Sequence, residues 1–132
     1  MSRAVLDAYS VIAYLEKETG NEQVQSYLER AAESGRDLLL SVVNWGEVYY
    51  SILREAGHSK AEEIVRFLET LPIELIPVDT ALAKQAAIYK ASRKMSYADC
   101  FAAALAKFHK AILLTGDKEF KQVEGEIKVH WI

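Results

Sequence analysis

Short apolar runs that recur between pairs of amphipathic segments constrain this chain more than any other feature. The runs are Ala4–Leu6, Leu38–Val42, Ile73–Ile76 and Ala111–Thr115, and Ile127–Ile132 is expected to be a final strand. Between them lie stretches with helical spacing. Val11–Leu15 leads to Gly20; Asn21 caps a segment carrying Val24, Tyr27, Leu28, Ala31 and Ala32, stopped by Gly35. Val48, Ile52 and Leu53 lie on a helix ending at Gly57, and Ser59 opens another with Ile64, Phe67, Leu68 and Leu71, closed by Pro72. Asp79 and Thr80 cap a helix to about Arg93, Tyr97 to His109 is Ala-rich, and Asp117 begins a short helix. Continuously apolar strands are buried on both faces, which requires a parallel sheet covered by helices. The expected fold is α/β: a three-layer α/β/α sandwich around a mostly parallel sheet of about five strands. Such sheets bind ligands beyond the carboxyl ends of their strands, near a topological switch point.

The 132 residues include only two Pro and no linker or repeat, so a single domain over residues 1–132 is expected. A hydrophobic fraction of 51% excludes disorder, and one Cys excludes an internal disulfide framework. No apolar run reaches the ~20 residues of a membrane span. Asp7 interrupts the first apolar run before a signal-peptide core forms, so a soluble, cytoplasmic protein without a membrane partner is expected. The net charge of −3 counts against a simple basic nucleic-acid patch.

Several chemistries lack their residues. The first strand is not followed by G-x-G-x-x-G, and there is no P-loop, no G-x-S-x-G and no paired His or Cys spacing for zinc. Cys100 on the Ala-rich helix reads as a small buried hydrophobe. The acids are more informative. Asp7 closes the first run, and Asp117 follows the run ending at Thr115; both fall at carboxyl ends of strands. Glu47 is expected in the first turn of the helix after the second strand, and Asp99 in the first turn of the Ala-rich helix. Asn44-x-x-Glu47 and Ser96-x-x-Asp99 also fit capping boxes, and Asp117 an N-cap. Asp7 alone has no evident capping role. Four carboxylates from four segments, brought to one end of the sheet, would repel each other and demand a compensating cation. Mg2+ or Mn2+ suits oxygen donors, and the chemistry expected of such a set is metal-assisted phosphodiester hydrolysis.

At these four segments the chain resembles the PIN-domain ribonucleases, among them the VapC-type toxins of toxin–antitoxin pairs. The resemblance rests on Val5-Leu6-Asp7, Glu47, Ser96-Tyr97-Ala98-Asp99 before an Ala-rich helix, and Thr115-Gly116-Asp117-Lys118-Glu119-Phe120. It implies that Asp7, Glu47, Asp99 and Asp117 form the acidic metal-binding and catalytic set. Glu119 would be a further ligand, Thr115 would orient the site, and Asn44 would position Glu47. It also implies an RNA substrate, a cognate antitoxin and a homodimer. One departure is Tyr9, at a place where many members carry a small hydroxyl; Ser10 lies one residue on.

Arg93, Lys94, Lys118 and Lys121 flank the motifs and are candidate phosphate contacts, against a reading as solvated charges. Tyr9, Tyr49, Tyr50 and Tyr97 are candidates for base stacking or for packing. Trp45 and Tyr49, four apart, suggest an apolar face for a dimer or an antitoxin segment. Two readings without nuclease activity compete: a receiver-like signalling module, which fits poorly because Asp7 is followed by Ala8, and a degenerate PIN-like binding module. Without the four acids, 15 acidic residues face 16 basic ones, so the chain's acidity is a property of one site.

Overall fold

The computed structural model describes residues 3–132 and follows the expected element order. The elements are β1 (Ala4–Leu6), α1 (Ala8–Leu15), α2 (Asn21–Ser34), β2 (Leu38–Ser41), α3 (Val42–Ala56), α4 (His58–Leu68), β3 (Ile73–Ile76), α5 (Thr80–Ser92), α6 (Tyr97–His109), β4 (Ile112–Thr115), a 3-10 helix (Lys118–Val123) and β5 (Lys128–Trp131). Ends shift by a residue or so where glycine takes over a cap. Gly20, not Asn21, caps α2 in a left-handed conformation that glycine adopts without strain, and Asn21 instead donates to Glu18 O. Gly57 likewise precedes α4, which starts at His58 rather than Ser59.

All strand pairs are parallel, and the order is β3-β2-β1-β4-β5. Because side chains alternate across a strand, the sheet feeds two cores. Val5, Leu39 and Leu113 point to one face and pack with Leu82, Ala86 and Tyr89 of α5 and the buried alanines of α6. Leu6, Leu38, Leu40 and Leu114 point to the other, against Val11, Val24, Leu28, Val48, Ile52 and Leu68 from α1 to α4. Truncating a wholly buried leucine such as Leu39 or Leu113 to alanine would cost about 2–5 kcal/mol. Alanine along α6 lets that helix lie close to the sheet, which is why a run from Cys100 to Ala106 is buried.

The chain steps outward from β1 to β2 to β3 over the face of α1–α4. It then crosses back by α5 and α6, on the opposite face, to place β4 beside β1. The strand order therefore reverses between β1 and β4, and a crevice opens at their carboxyl ends. A receiver module has the order 2-1-3-4-5, so the observed order removes that alternative. β3 forms one edge, held between Pro72 and Pro77, and its missing donors fall outside the ladder. No helix among the described residues is long and apolar enough to cross a membrane.

Candidate metal centre

Asp7 ends β1 in an extended conformation and begins α1. Its Oδ1 accepts the Ser10 N–H at 2.8 Å, while Ser10 Oγ accepts the Asp7 N–H at 3.1 Å. This complete capping box corrects the expectation that Asp7 has no cap to serve: the helix starts immediately after the strand, and its free N–H groups need an acceptor there. It also finds a use for the hydroxyl displaced by one residue, since Ser10 is wholly buried against Asp7. On the other side, Thr115 Oγ1 donates to Asp7 Oδ2 at 2.5 Å and accepts the Asp117 N–H at 3.0 Å. Thr115 thus ties β1 to the turn after β4. Asp7 is 1% exposed, and burial pushes its carboxyl up to about 6 against the opposing pull of these hydrogen bonds.

Glu47 reaches the crevice from α3. The helix begins at Val42, capped by Ser41 Oγ accepting the Val43 N–H at 3.2 Å. The cap supplied at the end of β2 corrects two expectations: Asn44 is not an N-cap, and Glu47 lies in the second turn rather than the first. Asn44 instead sits wholly buried and donates through Nδ2 to Glu47 Oε1 at 2.8 Å and to Ala98 O at 3.1 Å. It fixes Glu47 and joins α3 to the start of α6. Burial raises the Glu47 pKa, the Asn44 hydrogen bond lowers it, and the charge of Asp117 raises it further.

Asp99 enters from the first turn of α6, where Ser96 Oγ accepts its N–H at 3.2 Å. Asp117 caps the 3-10 helix, its Oδ1 accepting the Glu119 N–H at 2.9 Å. Glu119 Oε1 accepts the Ser96 N–H at 3.3 Å, linking the two segments. Capping and clustering are therefore compatible. One carboxylate oxygen from each of Asp99, Asp117 and Glu119 lies within 4.8 Å of the others. Asp7 and Glu47 stand outside that trio, but both feel the charge of Asp117. Glu119, expected only as a further ligand beside the four acids, belongs to the tightest group although its side chain is exposed. Burial, then the carboxylates of Glu119 and Asp117 beside it, push Asp99 up to about 9.

Among the described residues, no Lys, Arg or His forms an ion pair with any of these five acids. Hard oxygen donors, mutual repulsion and no basic partner are the properties a Mg2+ or Mn2+ site requires, so the residues fit the expected ion. Cys100, wholly buried in the core beside this group with its thiol pKa raised by burial, fits a packing role.

The surroundings divide. Lys94, Lys118 and Lys121 are exposed at the rim. Arg93 is committed elsewhere: its guanidinium pairs with Glu126, donates to Gln122 O at 3.3 Å and to Ser92 Oγ at 2.8 Å, and lies over the Tyr89 ring. Tyr9 is 46% and Tyr97 48% exposed, each two residues from an acid of the site. The Tyr9 ring lies over Gly116, where a Cβ would collide with it. Trp45 and Tyr49 stack at 5.5 Å and pack on the core beside α4, with Tyr49 Oη donating to Glu62 at 2.5 Å. Their apolar face is thus partly covered within the chain.

The family model described as PIN domain matches residues 4–126. By sequence, no curated protein matches the chain. Among solved structures, the chain is similar to the DNA-bound VapBC of Salmonella typhimurium (16% identity, TM-score 0.75, 98% of each chain covered). It is also similar to VapBC2 of Rickettsia felis bound to a promoter DNA fragment (15% identity, TM-score 0.77, 98% of each chain). A third is the sarcin-ricin loop cleaving toxin VapC20 of Mycobacterium tuberculosis (20% identity, TM-score 0.68, 96% of this chain and 98% of that one).

Proposed function

Since the chain belongs to the PIN domain family, we propose that it is a metal-dependent endoribonuclease and the toxin of a toxin–antitoxin pair. The observation that carries this reading is the Asp99–Asp117–Glu119 trio, with oxygens within 4.8 Å of one another at the switch point of the sheet. Asp99, Asp117 and Glu119 would hold Mg2+ or Mn2+, with Asp7 and Glu47 completing the acidic set. When bound, the ion supplies Lewis acidity and positive charge at the scissile phosphodiester. Thr115 holds Asp7 in register with Asp117, and Asn44 holds Glu47, so the acids are preorganised by hydrogen bonds already made. Lys94, Lys118 and Lys121 would meet flanking phosphates, and the exposed rings of Tyr9 and Tyr97 would stack on bases.

Solved relatives of this fold include VapBC complexes and FitAcB of Neisseria gonorrhoeae. A matching antitoxin would be a segment with apolar anchors. A groove of about 270 Å³ between α4 and the β3 edge, lined by Trp45, Val65, Leu68 and Leu75, offers a place for them. The exposed Phe67 extends the apolar surface of α4, and a homodimer would bury further exposed side chains such as Phe108. The test is cleavage of total RNA in Mg2+ and in Mn2+, with Asp7→Asn and Asp99→Asn alongside. Wild type cuts only with metal, and both variants lose at least a hundredfold in rate. Cleavage by Asp99→Asn at the wild-type rate sinks the reading.

A further inference from the structure

The three carboxyl groups that crowd within 4.8 Å come from two segments: Asp99 from the first turn of α6, and Asp117 and Glu119 from the start of the 3-10 helix. Their spacing is therefore set by how the loop before α6, residues 93–96, docks on that helix. A 3-10 helix of six residues has poor internal hydrogen-bond geometry and supplies little rigidity of its own. Crowded carboxyl groups also work against the docking. Gln122 spans the gap. Its Oε1 accepts the Lys94 N–H at 3.0 Å, and its Nε2 donates to Lys94 O at 3.1 Å and to Glu119 O at 3.2 Å. One side-chain amide thus engages both main-chain groups of Lys94 and the carbonyl of a residue that carries one of the acids. Turned the other way, its oxygen would face two carbonyls, so only this orientation satisfies all three bonds. The rest of the loop is tied down too. Arg93 Nε donates to Gln122 O at 3.3 Å, Lys90 Nζ to Met95 O at 2.8 Å, and the Ser96 N–H to Glu119 Oε1 at 3.3 Å.

From this geometry we infer that Gln122 is a positioning residue for the metal ligands: it clamps the loop before α6 to the 3-10 helix and so holds Asp99 where one cation can reach it together with Asp117 and Glu119. The inference rests on the reading of that trio as a metal centre. Gln122 itself is exposed, and none of its three bonds goes to an acidic side chain. Without the clamp, the arrangement that binds the ion is only a fraction of the population, and the apparent affinity falls by that fraction. Partners standing behind the ligands of a metal site carry about ten- to a hundredfold in affinity.

The test is Gln122→Met, which keeps the length of the side chain and removes all three bonds. Mn2+ binding is followed by titration calorimetry, amide exchange is measured by NMR in EDTA, and cleavage of a short RNA is measured across a range of Mn2+ concentrations. Gln122→Met should bind Mn2+ about tenfold more weakly than wild type. Its Ser96 amide should exchange about tenfold faster in the metal-free protein, although the acceptor of that amide, Glu119, is intact. Saturating Mn2+ should restore kcat, with KM for RNA unchanged throughout. Wild type that binds no Mn2+ overturns the reading of the trio as a metal centre, and the inference with it. Equal Mn2+ affinity in wild type and Gln122→Met overturns the inference alone. Weaker binding with unchanged Ser96 exchange overturns it as well, since the effect then does not pass through the loop. So does a kcat that stays low at saturating Mn2+, which would place Gln122 in the chemistry rather than in the spacing of the ligands.

Discussion

Binding of Mg2+ should expel protons from the acidic set, and the number follows from the site. Burial and the carboxylates of Glu119 and Asp117 hold the Asp99 carboxyl at about 9, and burial holds Asp7 at about 6. A bound divalent ion requires ionised oxygens, so whatever protons the free site carries must leave. At pH 7 a group of pKa about 9 is almost fully protonated, and one of about 6 carries about a tenth of a proton; release should be about 1.1 protons per site. The same sum gives about 1.5 at pH 6 and about 0.5 at pH 9. The first proton belongs to the Asp99–Asp117–Glu119 group as a unit rather than to one oxygen. Titration calorimetry in buffers of differing ionisation enthalpy counts the protons directly. Asp99→Asn should lower the value at pH 7 to about a tenth. Metal binding with no proton release at pH 7 would refute the idea that these carboxylates are crowded acids awaiting a cation.

Four further outcomes are expected. A carboxyl whose folded pKa is raised stabilises the protein fully below its unfolded value, and that contribution is lost as pH rises through the folded value. For Asp7 the window runs from 3.8 to about 6, worth about 3 kcal/mol at one pKa unit per 1.36 kcal/mol. Melting of the metal-free protein should therefore fall between pH 4 and 7, and go on falling towards pH 9 through Asp99. Asp7→Asn, which keeps an acceptor for the Ser10 N–H, should melt higher than wild type at pH 8 in EDTA while losing cleavage. Thr115→Val leaves Asp7 Oδ2 and the Asp117 N–H without their partner; denaturant unfolding should show a loss of about 1–3 kcal/mol, with the cleavage pH profile moved to higher pH. Asn44→Ala frees Glu47 and Ala98 O and should lower kcat more than KM, measured on a short RNA.

The sequence announces the three central strands because each is a run of residues with no reason to face water, whereas the edge strands β3 and β5 mix exposed and half-buried positions. Leu38–Leu40 and Ile112–Leu114 are such runs, and the order of the elements follows from them. Asp7, Asp99 and Asp117 were legible as acids at strand ends and first turns, whereas Glu47 falls one turn later than its spacing suggests. Their partners were less so. Nothing in the sequence separates Asn44 as a cap from Asn44 as a clamp, because the choice was made by Ser41, which starts the helix three residues earlier. Glu119 was legible only as a possible ligand, because the turn at Gly116 and Asp117 decides which way the next carboxylate faces. Arg93 looked like a rim cation, yet Glu126, 33 residues on, claims it. Contacts of that range leave no local trace in spacing or propensity.

The short edge strand between two prolines has a consequence for life in a crowded solution. Helices cover the faces of this sheet, but each border exposes main-chain groups on which another chain could add as a further strand. β3 offers only four residues there, Pro72 and Pro77 refuse continuation at either end, and Glu74 places a charge in the middle. The opposite border, β5, carries exposed Lys128 and His130. The molecule thus resists growth into filaments at both borders by means independent of its acidic crevice. Substitutions that flatten and lengthen those borders should shorten its shelf life long before they touch its chemistry.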